Sequence, residues 1–288
     1  MTAVSTRDTL GTDEARAAGQ GHDQPLPPRA DCIADSAGGL TFDITDPGGE
    51  GAAHLLLQLR DSEPAAEVRL PLTPAADGRL RAALPSSVEL AEGRWNAYAE
   101  VDGEEPRRLL PGLNDLRSLV DRVPSGSRGH VFVRIPYVTK QGNLSVRAWT
   151  RAPHAEAGEL DIAADGLTAH GRVYGTALGA GARVEAVFRT GPERVVRADV
   201  TARGPEFTFR LPYADLADGH GPWDLWLLPD GDEGPRVRLA RLLDDVADKK
   251  PIFTYPVTAL TTGTGRVEAG PYYTADNDLS VMVRQASG

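Results

Sequence analysis

The sequence predicts an all-β chain, organised as two tandem β-sandwich domains from an internal duplication behind a disordered N-terminal tail. Three observations carry that expectation. Short runs of alternating apolar and polar residues follow one another along the chain, separated by Gly, Pro and Asp clusters. Almost no stretch has the periodicity of an amphipathic helix, which disfavours a parallel α/β fold. Two blocks of residues also recur in the same order, which is the mark of a repeat.

Residues 1–29 lack aromatics and end in Pro25, Pro27 and Pro28. Such a segment buries too little apolar surface to offset the entropy of ordering, so a disordered tail is expected there. Strands are then expected over His54–Arg60, Ala66–Leu72, Arg94–Val101 and His130–Ile135, and over Arg183–Arg189, Val196–Ala202, Glu206–Leu211 and Pro222–Leu228. The two domains are expected over 30–152 and 153–288.

The repeat sets that division. Gly93-Arg94-Trp95-Asn96-Ala97-Tyr98 returns 128 residues later as Gly221-Pro222-Trp223-Asp224-Leu225-Trp226. Pro136-Tyr137, Thr139 and Leu144-Ser145-Val146 return 135 residues later as Pro271-Tyr272, Thr274 and Leu279-Ser280-Val281. The drift places a few inserted residues in the second copy. Strand alternation puts Trp95 with Ala97, and Trp223 with Leu225, on one face, so each indole is expected to anchor a core. Asp102-Gly103 and Asp230-Gly231 read as tight turns, and hairpins are expected to turn at Gln141-Gly142 and Asn277-Asp278. Arg-rich return strands follow the first turns, at Pro106–Leu109 and Pro235–Leu239. Leu113–Arg122 and Leu239–Lys250 each have room for a helical turn.

Composition narrows the function classes. No apolar run approaches the roughly 20 residues needed to span a bilayer. The net charge of −10 works against nucleic acid and anionic lipid. The opening residues have no apolar core of a secretory signal, so a cytoplasmic location is expected, at the inner face of the membrane where a partner holds the chain there. Cys32, the one cysteine, has no cationic neighbours in sequence and reads as a buried structural thiol. The six histidines fall at no metal-ligand spacing, and neither a nucleophile elbow nor a phosphate-binding glycine loop occurs. No catalytic residue, metal or cofactor is therefore expected. Asp244 and Asp245, adjacent in sequence, do not read as a facing carboxylate pair.

The positive signal is aromatic residues beside arginines near the hairpins. Sugar rings stack on aromatic faces, while Arg hydrogen-bonds hydroxyls or phosphates. On that basis Arg107, Arg236, Trp149, Tyr137, Tyr272 and Tyr273 are the candidate ligand-binding residues.

Gly93-Arg94-Trp95, Arg107-Arg108-Leu109 and Pro136-Tyr137-Val138-Thr139 with Asn143-Leu144-Ser145 resemble accessory β-sandwich modules of actinobacterial polyol-phosphate and glycosyl transferases of the teichoic-acid kind. The resemblance spans residues 30–285 and rests on hairpin and core residues. It implies immunoglobulin-like domains in a cell-envelope polysaccharide setting. In that family a separate domain does the chemistry, and the resemblance carries no catalytic residue onto this chain. The expectation is thus a non-catalytic module that binds glycan or scaffolds a transferase. The alternatives are a transferase or other carbohydrate-active enzyme with a site between the domains, and a structural oligomerisation module.

Overall fold

In the computed structural model, which describes residues 26–120, 122–124, 130–263 and 265–286, the chain is almost entirely β, with 3-10 turns as its helical elements among those residues. All eight predicted strands are present, the fourth running on to Val138. The tail expected over 1–29 lies outside the described residues as far as residue 25, and Arg29 already belongs to the first strand. No helix among the described residues is long and apolar enough to cross a membrane.

The first half contains β1 (Arg29–Ala34), β2 (Leu40–Thr45), β3 (Ala53–Leu59), β4 (Glu67–Pro71), β5 (Thr73–Pro74) and β6 (Arg79–Leu84). It continues with β7 (Gly93–Val101), β8 (Arg107–Arg108), β9 (Leu110–Asp115), β10 (Val131–Val138) and β11 (Leu144–Arg151). They form two sheets, ordered β5-β6-β2-β1-β9 and β10-β11-β7-β3-β4, with β8 also on β7. Phe42, Ile44 and Leu84 of one sheet share a core with Leu55, Leu57, Trp95 and Ile135 of the other, so this half is a sandwich of two layers. Cys32 lies in that core, and burial pushes its thiol up to about 12.

The second half contains β12 (His154–Ala163), β13 (Gly166–Tyr174), β14 (Arg183–Phe188), β15 (Val195–Arg203) and β16 (Glu206–Pro212). There follow β17 (Gly221–Leu228), β18 (Val237–Ala240), β19 (Thr258–Thr262), β20 (Gly265–Tyr273) and β21 (Leu279–Gln285). Its pairings retrace those of the first half: β12 and β13 occupy the places of β1 and β2, β14 and β15 those of β3 and β4, β17 that of β7, and β20 and β21 those of β10 and β11. Even the parallel contact recurs, β1 with β9 and β12 with β18.

One difference corrects the expectation of two like sandwiches. In the second half β15 pairs with β14 through Val195–Asp199 and with β16 through Val200–Arg203, so β14, β15, β16, β13, β12, β18 and β17 close into a ring when β14 meets β17. The corresponding run of the first half is broken at Leu72, and only Thr73 and Pro74 reach β6. Pro71 and Pro74 have no N–H to donate, which ends a ladder where β15 continues it. The helical turns expected after the return strands are likewise unequal: Arg117–Leu119 is a single 3-10 turn, whereas the segment after β18 bends and then makes one hydrogen-bonded turn at 250–252, with the Lys249 carbonyl accepting from the Ile252 and Phe253 amides.

The recurring Gly-x-Trp has a backbone reason. Gly93 and Gly221 sit at φ +153° and +152°, where L side chains are strained. A Cβ at Gly93 would also lie 2.6 Å from Leu59 Cδ1. Two residues on, each indole is buried, and its Nε1 donates to a carbonyl four residues back, Ala91 at 2.9 Å and Gly219 at 3.0 Å.

The segment after β18 joins the halves. Leu242 belongs to the first-half core, with Leu243 and Ala247 packed against it. Fully buried Lys249 holds the segment together by donating to Asp244 Oδ1 at 2.6 Å and to the Val246 carbonyl at 2.8 Å. Asn277 accepts from the Lys249 amide and donates to the Ala247 carbonyl. Removing one member of a buried ion pair is far costlier than losing a surface one, so Asp244→Ala should lower stability by about 3–5 kcal/mol. Trp95→Ala and Trp223→Ala should each cost about 3–5 kcal/mol. Denaturant unfolding of the full chain checks all three.

Candidate functional site

Strand alternation sends Trp95, Ala97 and Ala99 inward from β7 and turns Arg94, Asn96 and Tyr98 outward. On β17 the outward set is Pro222, Asp224 and Trp226. On the return strands Leu109 and Leu239 point into the cores, leaving Arg108 and Arg238 beside that outer face. Each arginine makes the same set of contacts. Arg108 donates to the Ala97 carbonyl at 3.0 Å and to Ser145 Oγ at 3.2 Å, with its guanidinium 4.9 Å from the Tyr98 ring centre. Arg238 donates to the Leu225 carbonyl at 2.9 Å and to Ser280 Oγ at 3.1 Å, with its guanidinium 5.1 Å from the Trp226 ring centre.

A second arginine completes each cluster from the end of β3 or β14. Arg60 Nη2 donates to Asn96 Oδ1 at 3.0 Å, and Arg189 Nε donates to Asp224 Oδ2 at 3.0 Å. The serines donate to the same acceptors, Ser145 to Asn96 at 3.4 Å and Ser280 to Asp224 at 3.1 Å. The halves thus differ at the centre, where Asn96 is neutral and Asp224 is a carboxylate that also accepts from Arg238 at 2.5 Å.

Electrostatics follow from that difference. Burial alone would raise Asp224, but hydrogen bonds from Arg189 and the charge of Arg238 outweigh it and hold the carboxyl below its ordinary value. Arg108 is pulled below its ordinary value by burial, and the like charge of Arg60 adds to that shift. Asp278, lining the same cleft as Asp224, is pushed up by burial against the opposing charges of Arg238 and Arg151.

Each cluster borders a cleft. The first-half cleft, about 680 Å³, is lined by Arg60, Arg94, Tyr137, Thr139 and Lys140, and its far wall is the 245–252 segment of the second half. The second-half cleft, about 570 Å³, is lined by Arg189, Asp224, Arg238, Tyr272 and Thr274. Tyr137 with Thr139 and Tyr272 with Thr274 occupy equivalent hairpin positions. Another cleft of about 680 Å³ lies among β12, β13, β15 and β16, where His170 is engaged by Asp161 and Thr208. Among the described residues no group of His, Cys, Asp or Glu is arranged to hold a metal ion.

The six sequence-derived candidates separate in space. Tyr137 and Tyr272 line the two equivalent clefts. Tyr273 is fully buried in the second core, where burial raises its phenol. Trp149 is 1% exposed, with its Nε1 donating to the Asp276 carbonyl at 3.3 Å and the Arg147 guanidinium 4.8 Å from its ring centre. A sugar would have to displace packed protein to stack on either. Arg107 donates to the Pro47 carbonyl, and Arg236, 5.0 Å from the Trp226 ring centre and paired with Glu185 at 3.5 Å, lines a separate cleft. The arginines at the clusters are instead Arg108 and Arg238, with Arg60 and Arg189, which the sequence reading passed over. Aligning the return strands on their core leucines, Leu109 and Leu239, pairs Arg108 with Arg238 and would have found the first two.

No family model matches the chain, and no curated protein matches it. Among solved structures, a marsupial T cell receptor aligns over 89% of this chain and 90% of its own, at 7% identity and a TM-score of 0.25. A tetra-tandem repeat from the extending region of a large adhesion protein aligns over 90% of this chain and 66% of its own, at 12% identity and a TM-score of 0.20. At such scores neither bears on fold or function.

Because Asp224 is held low in the folded state, it binds a proton less readily there than in the unfolded chain. Its contribution to stability is therefore present above the unfolded pKa and lost as pH falls through the folded one. Thermal melts should show Asp224→Asn less stable than the parent at about pH 7, with the gap closing as pH falls below about 4.

Proposed function

We propose that this chain is a non-catalytic binding module: two immunoglobulin-like domains descended from one duplicated ancestor, which bind a glycan or scaffold a transferase in a cell-envelope setting. The observation that carries the reading is the pair of equivalent clefts, each presenting a tyrosine, a threonine hydroxyl and an arginine at the same topological position. That combination suits a hydroxylated ligand, because an aromatic face takes an apolar sugar face while arginine and hydroxyl groups hydrogen-bond its oxygens. The recurring strand pairings and the recurring Arg–Ser–carbonyl contacts support the duplication. The envelope setting rests on the sequence resemblance.

The test is calorimetric titration of the full chain with neutral envelope oligosaccharides and with polyol-phosphate oligomers. Saturable binding that weakens by roughly tenfold in Tyr137→Ala or Tyr272→Ala is expected. Failure of the folded protein to bind any of these would remove the reading.

The enzyme reading has one observation in its favour. Asp224 and Asp278 line one cleft with their proton affinities shifted in opposite directions, a pattern found in acid–base pairs. Arg238 contacts both, at 2.5 and 3.6 Å, which also accounts for them as parts of a structural ion network. Turnover of a glycosidic substrate that disappears in Asp278→Asn, with binding retained, would favour the enzyme.

A further inference from the structure

The two clefts are equivalent in backbone and differ in charge balance. At matched positions the first half carries Arg60, Arg94, Asn96, Arg108, Lys140 and Gln141, where the second carries Arg189, Pro222, Asp224, Arg238, Ala275 and Asp276. The first set therefore has four cations and no anion, and the second has two cations and two anions. In the second half the balance is visible as bonds: Asp224 takes both arginines, and Asp276 pairs with Arg147 of the first half at 2.5 Å. In the first half, Arg60 meets only the neutral Asn96 amide, and Arg94 reaches the Ala275 carbonyl at 3.0 Å. Arg108 meets a carbonyl and a serine. Among the described residues none of Arg60, Arg94, Arg108 and Lys140 forms an ion pair with a carboxylate that would neutralise it.

Arg60 and Lys140 are exposed and Arg94 and Arg108 half-buried. The four like charges repel one another, burial disfavours the charge on Arg108, and the two carboxylates on the far wall, Asp245 and Asp248, pair with none of them. The second half shows what this scaffold does with the same two arginines when charge is balanced internally: it places a carboxylate between them. From this contrast we infer that the first-half cleft is an anion site, taking a phosphate or carboxylate group against Arg60, Arg94 and Lys140 with Arg108 nearby, and supplying from outside the negative charge that Asp224 supplies from within in the second half.

The rest of the cleft describes the body that carries the anion. Tyr137 and Thr139 line the near wall, and Asp245 and Asp248, both exposed, line the far one. Those carboxylates repel a second anionic group and accept hydrogen bonds from hydroxyls. The ligand class is thus a polyol or sugar bearing one phosphate or carboxylate. This deepens the glycan-binding reading and rests on it for the hydroxylated body alone.

The experiment titrates the full chain with glycerol 1-phosphate, inorganic phosphate and a neutral oligosaccharide, in the parent and in Asn96→Asp, Lys140→Ala and Asp224→Asn. The fold already accommodates Asp at the position of Asn96, since Asp224 occupies its counterpart, and Lys140 is exposed on a hairpin. Expected is saturable, salt-sensitive binding of glycerol 1-phosphate, weakened by roughly tenfold or more in Asn96→Asp and several-fold in Lys140→Ala. Asp224→Asn, which removes the carboxylate between the second-half arginines, should add a second, weaker site. Binding of inorganic phosphate as tight as that of the ester would support the anion site and overturn the hydroxylated body. Anion binding that Asn96→Asp and Lys140→Ala both leave intact, or no anion binding at all, would overturn the site. Neutral-oligosaccharide binding in that last case would leave the glycan-binding reading standing. Anion binding without any glycan binding would do the reverse.

Discussion

A single carbonyl on the central strand of each half governs the arrangement around it. Along one edge β7 pairs first with β11, up to Asn96, and then with β8, from Tyr98; β17 pairs first with β21, up to Asp224, and then with β18, from Trp226. The residue at the change of partner is Ala97 in one half and Leu225 in the other, and its carbonyl is where an arginine from the return strand arrives. In the first half that carbonyl already accepts from the Leu109 amide at 3.0 Å, and the guanidinium adds a second donor to its other lone pair while its other nitrogen holds a serine on the neighbouring hairpin. Arginine stays protonated at any ordinary pH. The change of strand partner therefore holds a permanent positive charge against the outer face, and the charge of each cleft depends on how the residues around it respond.

That dependence explains what was legible in the sequence. The eight runs identified as strands are those in which β-branched, leucine and aromatic residues alternate with polar ones. The strands that escaped, β12 and β13 above all, fill the core mainly with alanines (Ala155, Ala157 and Ala169, with Leu167 and Val173), whose small side chains produce no apolar stripe. Trp95 and Trp223 were readable because a strand-centre indole has few places to go. Trp149 was not, since it lies near a strand end yet belongs to the first-half core, with its Nε1 taken up by the Asp276 carbonyl of the other half. Ring closure in the second half turns on whether one strand can donate without interruption past its corner, and Pro71 and Pro74 become informative only once β15 is seen doing so.

The site was legible in part for a related reason. Tyr137 and Tyr272 lie in the repeated hairpin blocks, so the repeat pointed at them directly. Choosing Arg108 over Arg107 needed the parity of the return strand, whereas Arg236 and Arg238 share a parity and both lie over Trp226, so there the choice needed the alignment on the core leucines. Arg60 and Arg189 lie outside every repeated phrase. They reach the clusters because β3 and β14 run alongside β7 and β17, a pairing that no local pattern encodes.

The segment following β18 has its own significance. Pinned by Lys249 and Asn277, it packs Leu242 into the first core and forms the far wall of the first-half cleft. The joint and the wall are thus one piece of chain. A molecule lodged in that cleft touches both halves at once and acts as a brace across them, so thermodynamic linkage makes occupancy and rigidity of the joint rise and fall together.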